Sequence, residues 1–412
     1  MSLTRRELLA GAALTPLMTA SAAAAAASTE LPAKNQFAPM PFAYLDAGSI
    51  HPLSLGAKAA LERYLRYRTY DGSAETLSMS AVEERVLEEY AALVGANVDE
   101  IAFVQSTTMG ENLVLQALDL PRAGGRIVTD VLHFFGSFYT YGELRKQGMD
   151  VVTLRMTRDG RIDMNEMARA IDKNTKLVAV SLVSTVNGFE HDLKRICDLA
   201  HAQGAYVYAD IVHAAGAIPI DLHATGVDFA AGSSYKWLMG DFGLGFLYVR
   251  KEVQQKLRTP WWGYHQLASF QTHVFPYDEP GDDVATYTNA PSAAGRFAMG
   301  TISWPQLVQL EYSLAWLNRI GVAKIQAWRQ PMIDTLQKEL RHRGYEPLTP
   351  SDSRTPMVAF ALKDARTKLA KLLADAKVRI TVSRHRFRVS VAIFNDPTDI
   401  DRLLAVLPKS PP

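Results

Sequence analysis

The chain has 412 residues, of which 48% are hydrophobic and 21% charged, enough apolar material for a large buried core and typically for two domains. The formal net charge of +1 excludes the strong positive field of nucleic-acid-binding proteins and favours a small-molecule substrate, so no nucleic-acid partner is expected. A single cysteine, Cys197, excludes an internal disulfide framework and a multi-cysteine metal cluster.

The first 27 residues are predicted to be a targeting segment and not part of the fold. Thr4-Arg5-Arg6-Glu7-Leu8-Leu9 contains a twin-arginine pair, a hydrophobic stretch follows as far as Met18, and small residues from Ala20 to Ala27 offer cleavage sites. We therefore expect a periplasmic or secreted protein, exported by the twin-arginine route. Past this segment no apolar run approaches membrane-spanning length, so the mature form is expected to stay off the membrane.

Short apolar segments alternate with amphipathic ones from about residue 55 to residue 260. Seven apolar segments are predicted to be strands: Glu100 to Val104, Arg126 to Thr129, Asp150 to Leu154, Leu177 to Val183, Tyr206 to Ala209, Asp228 to Ala231 and Gly245 to Arg250. Helices are predicted between several of them: Met109 to Leu118, Gly136 to Gln147, Met164 to Ile171 and Leu193 to Gln203. This alternation predicts an α/β domain with a mainly parallel seven-stranded sheet covered by helices.

The pattern changes after Lys251. Residues 258–300 are rich in aromatic, glycine, proline and polar residues, as in a long functional excursion. A helix is predicted from about Pro305 to Arg343, followed by strands at Met357 to Leu362, Arg379 to Val382 and Phe387 to Phe394. We predict an N-terminal segment over 28–55, a large domain over 56–300 and a smaller C-terminal α+β domain over 301–412.

Three chemically functional groups follow predicted strands. Asp210 comes directly after one strand, Lys236 lies shortly after another in Gly232-Ser233-Ser234-Tyr235-Lys236, and the hydroxyl-rich turn Ser106-Thr107-Thr108 precedes a predicted helix. Ligands of parallel α/β sheets bind beyond the carboxyl ends of the strands. We therefore expect a carboxylate, an amine and a helix start to meet on one rim.

Each of these groups suits one part of pyridoxal phosphate. A partly desolvated lysine can hold the aldehyde as a Schiff base, and a buried carboxylate keeps the ring nitrogen protonated, so that the ring accepts electrons. Thr107, Thr108 and Ser233 fit the phosphate, which binds at helix N-termini. Singly, each residue fits a simpler role, as a surface lysine or a helix cap. Their combination on one sheet edge is more specific.

The sequence resembles the class V aminotransferase family of fold-type I pyridoxal-phosphate enzymes, from Tyr44 to Asn395. The likeness is carried by Ser106-Thr107-Thr108-Met109-Gly110-Glu111-Asn112, Tyr208-Ala209-Asp210-Ile211-Val212-His213-Ala214-Ala215-Gly216, Ser233-Ser234-Tyr235-Lys236-Trp237, Gly240-Asp241-Phe242-Gly243-Leu244-Gly245 and Gly300-Thr301. The family includes cysteine desulfurases, isopenicillin-N epimerase-like proteins and serine–pyruvate-type aminotransferases. The resemblance implies the fold-type I architecture, with a large cofactor domain and a smaller C-terminal domain.

The resemblance also implies a role for each matching residue. Lys236 would hold the cofactor and then move the proton from the substrate Cα, Asp210 would pair with the pyridine nitrogen, and His213 would hydrogen-bond the phenolic oxygen. His133 matches the ring that stacks on the pyridine, with Phe134 or Phe135 as alternatives. The remaining implied cofactor contacts are Thr107, Thr108, Thr185, Ser233, Tyr235 and Thr301.

Two of the implied contacts involve the substrate and a second subunit. Arg388 matches the arginine that binds the substrate carboxylate, which a guanidinium does with two parallel hydrogen bonds. Thr301 matches a threonine that reaches the phosphate in the neighbouring subunit, which implies a homodimer. The chain departs from the family at Thr185, where many members have asparagine, at Tyr235, where histidine is common, and at Met109, where glutamate is common.

The predicted reaction depends on whether the chain has a cysteine that could accept sulfur from a substrate. Cysteine desulfurases of this family use a cysteine on a loop before the carboxylate-binding arginine, and the segment from Val378 to Arg388 contains no cysteine. Cys197 lies in a predicted helix, where we expect it to pack in the core. We therefore predict that the chain does not form a persulfide as a cysteine desulfurase does.

The expected chemistry is a Schiff base with an amino acid or related amine, followed by loss of the α-proton. We predict an aminotransferase, with an epimerase or lyase as the alternative. A hypothesis of another class is an exported protein that binds an amine or the cofactor without catalysis. The sequence has no His-Glu-x-x-His and no Gly-x-Ser-x-Gly pattern, so no metal site and no serine nucleophile are predicted.

Overall fold

The computed structural model describes residues 28–412 and, before them, only the backbone of Leu3–Thr4. Apart from Leu3–Thr4, the predicted targeting segment over residues 1–27, with its twin-arginine pair, therefore lies outside the described residues. Within the described part of the chain, no helix has both the length and the apolar content that crossing a membrane requires.

Strands and helices alternate along most of the chain. The strands are β1 (Leu3–Thr4), β2 (Ala43–Tyr44), β3 (Ile101–Val104), β4 (Arg126–Asp130), β5 (Asp150–Leu154), β6 (Thr175–Ser181), β7 (Tyr206–Asp210), β8 (Phe229–Ser233), β9 (Gly245–Val249), β10 (Leu267–Thr272), β11 (Ala285–Asn289), β12 (Glu346–Pro347), β13 (Met357–Ala361), β14 (Val378–Arg379), β15 (Thr381–Val382) and β16 (Arg386–Ser390). The α-helices are α1 (Leu55–Arg68), α2 (Met79–Val94), α3 (Thr107–Ala117), α4 (Phe135–Lys146), α5 (Met164–Ala170), α6 (Leu193–His201), α7 (Leu222–Thr225), α8 (Lys251–Gln254), α9 (Ala294–Phe297), α10 (Trp304–Ile320), α11 (Val322–His342), α12 (Ala365–Asp375) and α13 (Pro397–Val406).

A seven-stranded sheet in the order β3-β9-β8-β7-β6-β4-β5 forms the centre of the molecule. Its strand pairs are parallel, except that β9 runs antiparallel to both β3 and β8. The predicted α/β class and mainly parallel sheet are confirmed, and the seven predicted strands lie within two residues of their observed ends. Because β6, β7 and β8 are neighbours and parallel, their carboxyl ends lie side by side.

Two apolar cores cover the two faces of this sheet. Alternate residues of one strand point to opposite sides, so that Val178 and Val207 enter one core while Leu177 and Tyr208 enter the other. Strands buried on both faces read as continuous apolar runs, which is why they were predictable from the sequence.

Short polar residues fix where several helices begin. The side chains of Ser54, Ser78 and Ser106 accept hydrogen bonds from backbone N–H groups in the first turns of α1, α2 and α3. The stretch predicted to be helical from about Pro305 to Arg343 consists of two helices, α10 and α11, which are separated at Gly321. Gly321 has a φ of 85°, a conformation that glycine adopts without the steric cost of a side chain.

A smaller antiparallel sheet in the order β12-β13-β16-β15 lies towards the C-terminus. A third core joins it to α11, α12 and α13, and this core also takes in Ala43 and Leu45 from the N-terminal segment. Strand β2 pairs in parallel with β14, so the N-terminal segment is tied to the C-terminal unit. The aromatic-rich stretch contains a hairpin, β10–β11, with Phe275, Tyr277 and Tyr287 exposed.

Candidate active site

The carboxyl ends of β7 and β8 meet the start of α3 on one rim of the large sheet, as predicted. Asp210 is the last residue of β7, and Lys236 lies in the turn after β8. Both side chains are buried, with 3% and 7% of their surfaces exposed. Burying an amine and a carboxylate is costly unless each has partners or a ligand.

The Lys236 amine is held by a histidine. Lys236 Nζ lies 2.9 Å from His213 Nε2, and the Trp237 indole N–H donates to His213 Nδ1 at 3.3 Å. Since Nδ1 accepts, the neutral ring carries its proton on Nε2, which then donates to the lone pair of an uncharged amine. Burial, the main cause, lowers the pKa of Lys236 to about 8, and Arg388 lowers it further while Asp210 opposes both. An uncharged lysine is the form that attacks an aldehyde.

The Asp210 carboxylate has one firm hydrogen bond and one long one. Oδ1 accepts from the Val212 backbone N–H at 2.9 Å, and Oδ2 accepts from the Ser181 hydroxyl at 3.5 Å. Burial raises the pKa of Asp210, although the nearby His133 and Lys236 side chains act in the opposite direction. A buried carboxylate whose second oxygen has only a distant donor fits the protonated nitrogen of a pyridine ring.

A hydroxyl pair joins β8 to the start of α3. The Thr107 backbone N–H donates to Ser233 Oγ at 3.0 Å, the two hydroxyl oxygens lie 3.1 Å apart, and the Ser233 N–H donates to Thr107 Oγ1 at 3.0 Å. Thr108, the next residue, is exposed. Hydroxyl groups at the positive end of a helix dipole are suited to a phosphate.

Arg388 reaches the site from β16 of the smaller sheet. Its guanidinium donates to Thr185 Oγ1 at 2.8 Å and to the hydroxyls of Ser49 and Thr381 at 3.1 Å each. The side chain is buried, its Nε lacks a partner among the described residues, and burial lowers its pKa to about 10. Because these partners are mostly neutral oxygens, the positive charge stays available to a carboxylate.

The other predicted contacts take different positions. His133 is fully buried, whereas the alternative ring Phe135 is 69% exposed. The Tyr235 ring stacks on Phe242 at a centroid distance of 4.4 Å and lies 5.6 Å from Lys236 Nζ. Thr301 is exposed, and its hydroxyl lies 2.8 Å from the hydroxyl of Tyr264 rather than against the group around Lys236.

Several residues that shape the site were not predicted from the sequence. Trp237 orients His213, Ser181 contacts Asp210, and Glu111 lies buried beside His133. Glu111 left a detectable signal, because it occupies the apolar face of α3, one turn before Val114. A charge on an apolar helix face indicates a buried partner.

Comparison with known proteins identifies one family and a set of similar enzymes. The profile of the aminotransferase class-V family matches residues 60–403. A probable cysteine desulfurase of Methanothermobacter thermautotrophicus is 29% identical over 71% of this chain and 71% of its own length, and a cysteine desulfurase of Shigella sonnei is 27% identical over 89% of this chain and 93% of its own. The crystal structure of the cysteine desulfurase CsdA (S-sulfonic acid) from Escherichia coli has a TM-score of 0.78 at 22% identity, covering 91% of this chain and 97% of CsdA.

These relatives contradict the predicted function. We predicted an aminotransferase, or else an epimerase or lyase, and excluded a cysteine desulfurase, yet the similar proteins are named cysteine desulfurases. The exclusion was drawn from a missing thiol near Arg388. A missing thiol limits where the sulfur can be received, but it does not decide which bond of the substrate breaks.

Proposed function

Because the chain belongs to the class V aminotransferase family, whose cofactor is pyridoxal phosphate, we propose that it breaks the carbon–sulfur bond of cysteine or a close derivative. The observation that carries the proposal is the buried Lys236 amine, which lies among His213, Asp210 and Arg388. The names of the similar proteins support sulfur removal as the reaction. When bound, pyridoxal phosphate supplies a ring that withdraws electrons from the substrate Cα.

Separate side chains of the site have separate roles in binding the cofactor and moving the proton. We propose that Lys236 holds the cofactor, then takes the proton from the substrate Cα and delivers a proton to the product. With the cofactor bound, Asp210 would hold the proton on the ring nitrogen, and the Nε2–H of His213, which otherwise points at the Lys236 amine, would donate to the phenolic oxygen. Thr107 and Ser233 bind the phosphate.

The substrate is proposed to bind through its carboxylate. Arg388 offers a buried guanidinium that Thr185, Ser49 and Thr381 hold in place. Fixing the carboxylate fixes the orientation of the bonds at Cα, which decides the reaction among those open to this cofactor.

The sulfur acceptor is proposed to lie outside the chain. Cys197, the one cysteine of the sequence, lies in α6 with 1% of its surface exposed. Burial raises the pKa of its thiol to about 12, so almost none of it is thiolate near neutral pH. An external thiol would attack the substrate sulfur, forming a persulfide while the Cβ–S bond breaks and the carbon product takes up a proton as alanine.

The Cys197→Ala variant is expected to keep the turnover of the native enzyme within about twofold, because the thiol does not reach the site. Its only expected cost is about 1 kcal/mol of unfolding free energy from the small cavity. The measurement is the release of sulfide and alanine from L-cysteine in the presence of dithiothreitol. Loss of turnover in a folded Cys197→Ala protein would instead make Cys197 the acceptor.

Product analysis separates the proposed reaction from the others. Alanine that forms only when a thiol is present supports transfer of sulfur to an external acceptor. Pyruvate and ammonia formed without a thiol would show elimination instead. Transfer of the amino group to a keto acid with no sulfur released would overturn carbon–sulfur cleavage altogether.

A homodimer is also proposed. Thr301 is exposed and lies next to Tyr264, and exposed aromatic residues follow nearby in the β10–β11 hairpin. An apolar surface of this kind suits a contact with a second copy, which would bring Thr301 to the phosphate of its partner. Sedimentation of the purified protein tests this, since a monomer that still holds the cofactor normally would overturn it.

Export by the twin-arginine route is proposed for the precursor. The support is the sequence Thr4-Arg5-Arg6 ahead of a hydrophobic stretch. Replacing both Arg5 and Arg6 with lysine is expected to leave the protein in the cytoplasm. Cell fractionation that finds the double variant still exported would show that this pair is not the signal.

A further inference from the structure

A buried carboxylate with three donors lies behind the site. Glu111, on α3, is 3% exposed. It accepts hydrogen bonds from His133 Nε2 at 3.1 Å, from the Ser137 hydroxyl at 2.7 Å and from the Tyr141 hydroxyl. A buried carboxyl group with this many donors is held in its ionised form. The burial of Glu111 acts to raise its pKa, but His133 and the two hydroxyls outweigh burial and lower it.

The hydrogen bonds continue from Glu111 through His133 to Asp210. His133 Nδ1 lies 2.9 Å from Ser181 Oγ, and that hydroxyl donates to Asp210 Oδ2 at 3.5 Å. A hydroxyl has a single proton, so Ser181 accepts from His133 when it donates to Asp210. Glu111 can only accept. While the Ser181 proton is directed at Asp210, both nitrogens of the His133 ring are donors, and a ring with two N–H groups is an imidazolium.

From this chain of hydrogen bonds we infer that Glu111 is a positioning residue that keeps His133 doubly protonated beside the cofactor ring. The inference rests on the proposed function for the place of that ring. It assigns a charge to His133, which family resemblance identified only as a stacking group. A positive charge against the ring would add to the pull on electrons from the substrate Cα.

Three carboxylates around His133 favour this state. Glu111 faces it from α3, Asp130 from the end of β4 and Asp210 from the end of β7. Tyr141 and Tyr208 also face the ring, and burial and nearby carboxylates keep both phenols neutral by raising their pKa values. Burial lowers the pKa of His133, but the bond and charge of Glu111, with Asp210 and Asp130, outweigh it, so the pKa is raised overall.

The test compares two buried glutamates in the cofactor-loaded enzyme. Glu111→Gln keeps the shape and an acceptor oxygen but removes the charge. Glu100→Gln is the matched control, because Glu100 is also buried and bonds a histidine, His223, at 2.5 Å, but it lies at the amino end of β3, away from the site. Nitrogen-15 NMR of labelled histidine side chains reports the protonation of His133, whose signal is identified by its absence in His133→Gln.

We expect the native enzyme to show both His133 nitrogens protonated at neutral pH, and Glu111→Gln to lose one of these protons. The pH midpoint of the cofactor's visible absorption should shift by about one unit or more, and kcat should fall about tenfold with KM within about twofold. Glu100→Gln should change none of these. A neutral His133 in the native enzyme, or equal behaviour of the two glutamine variants, would overturn the inference.

A second variant keeps the inference open to refutation if Glu111→Gln fails to fold. Glu111→Asp retains the charge, and we expect it to keep His133 doubly protonated with the native absorption midpoint; a neutral His133 in that variant counts against the inference. The NMR and absorption results stand apart from the reaction catalysed. If sulfur removal is not found, they still decide the role of Glu111, and the failure then belongs to the proposed function alone.

Discussion

Replacement of Lys236 by alanine is expected to remove the visible absorption of the bound cofactor and to lower kcat/KM at least about 1000-fold. The amine is the group that attaches the cofactor, and among the described residues the one other nitrogen within hydrogen-bonding distance of it is His213 Nε2. The measurement is an absorption spectrum of the purified variant, together with its turnover of L-cysteine. The control is Lys371→Ala, since Lys371 is 84% exposed on α12, where it pairs with Asp375.

The same amine sets a pH dependence for the native chain. The pKa of Lys236 is lowered to about 8, and only the uncharged form above that pH attacks an aldehyde. Uptake of pyridoxal phosphate by the cofactor-free protein should therefore quicken about tenfold per pH unit up to about pH 8 and level off above it. A spectrum of Lys236→Ala that still shows a covalently bound cofactor, or an uptake rate independent of pH, would mean that another residue carries the attachment.

The large sheet was predictable because most of its strands are covered on both faces, the edge strand β5 being the exception. In a chain with this alternation, a continuous apolar segment such as Leu177 to Val183 is typical of a strand buried on both faces. The break between α10 and α11 was missed because a second helix begins directly after Gly321, although a glycine that follows a basic last turn, here with Arg319, is a common helix end. Pairing of β2 with β14 joins residues more than 300 positions apart, and no local pattern reveals such a contact.

In the candidate site, too, some residues could be predicted from the sequence and others could not. Asp210 and Lys236 could be predicted because both follow strands, and strand ends converge on one rim. The pairs that set their chemistry join residues far apart in sequence: Trp237 fixes the proton on His213 across 24 positions, and Glu111 reaches His133 across 22. Such pairs depend on how helices pack on the sheet. The type of reaction is harder still to predict from the sequence, because it depends on which bond of the substrate the site orients for cleavage.

Replacing Asp210 with asparagine is expected to lower kcat about 100- to 1000-fold while the cofactor stays bound through Lys236. Asparagine fills the same space and still accepts from the Val212 N–H, but it carries no charge to hold a proton on the ring nitrogen. The electron-withdrawing power of the ring then falls, and with it the rate of proton loss from Cα. The measurements are kcat for L-cysteine and the ratio of bound cofactor to protein.

A second buried carboxylate provides the comparison that isolates this charge. Asp228, just before β8, lies at the amino end of the strand, where Arg250, His201 and the Val207 N–H hold it. Asp228→Asn removes a buried ion pair, so we expect a loss of about 3 kcal/mol of unfolding free energy with kcat nearly unchanged. Asp210→Asn should show the reverse, a stable protein with slow turnover, because burial already raises the pKa of Asp210 and the charge there costs stability. If both variants lost only stability, Asp210 would be a structural residue and the pyridine nitrogen would need another partner.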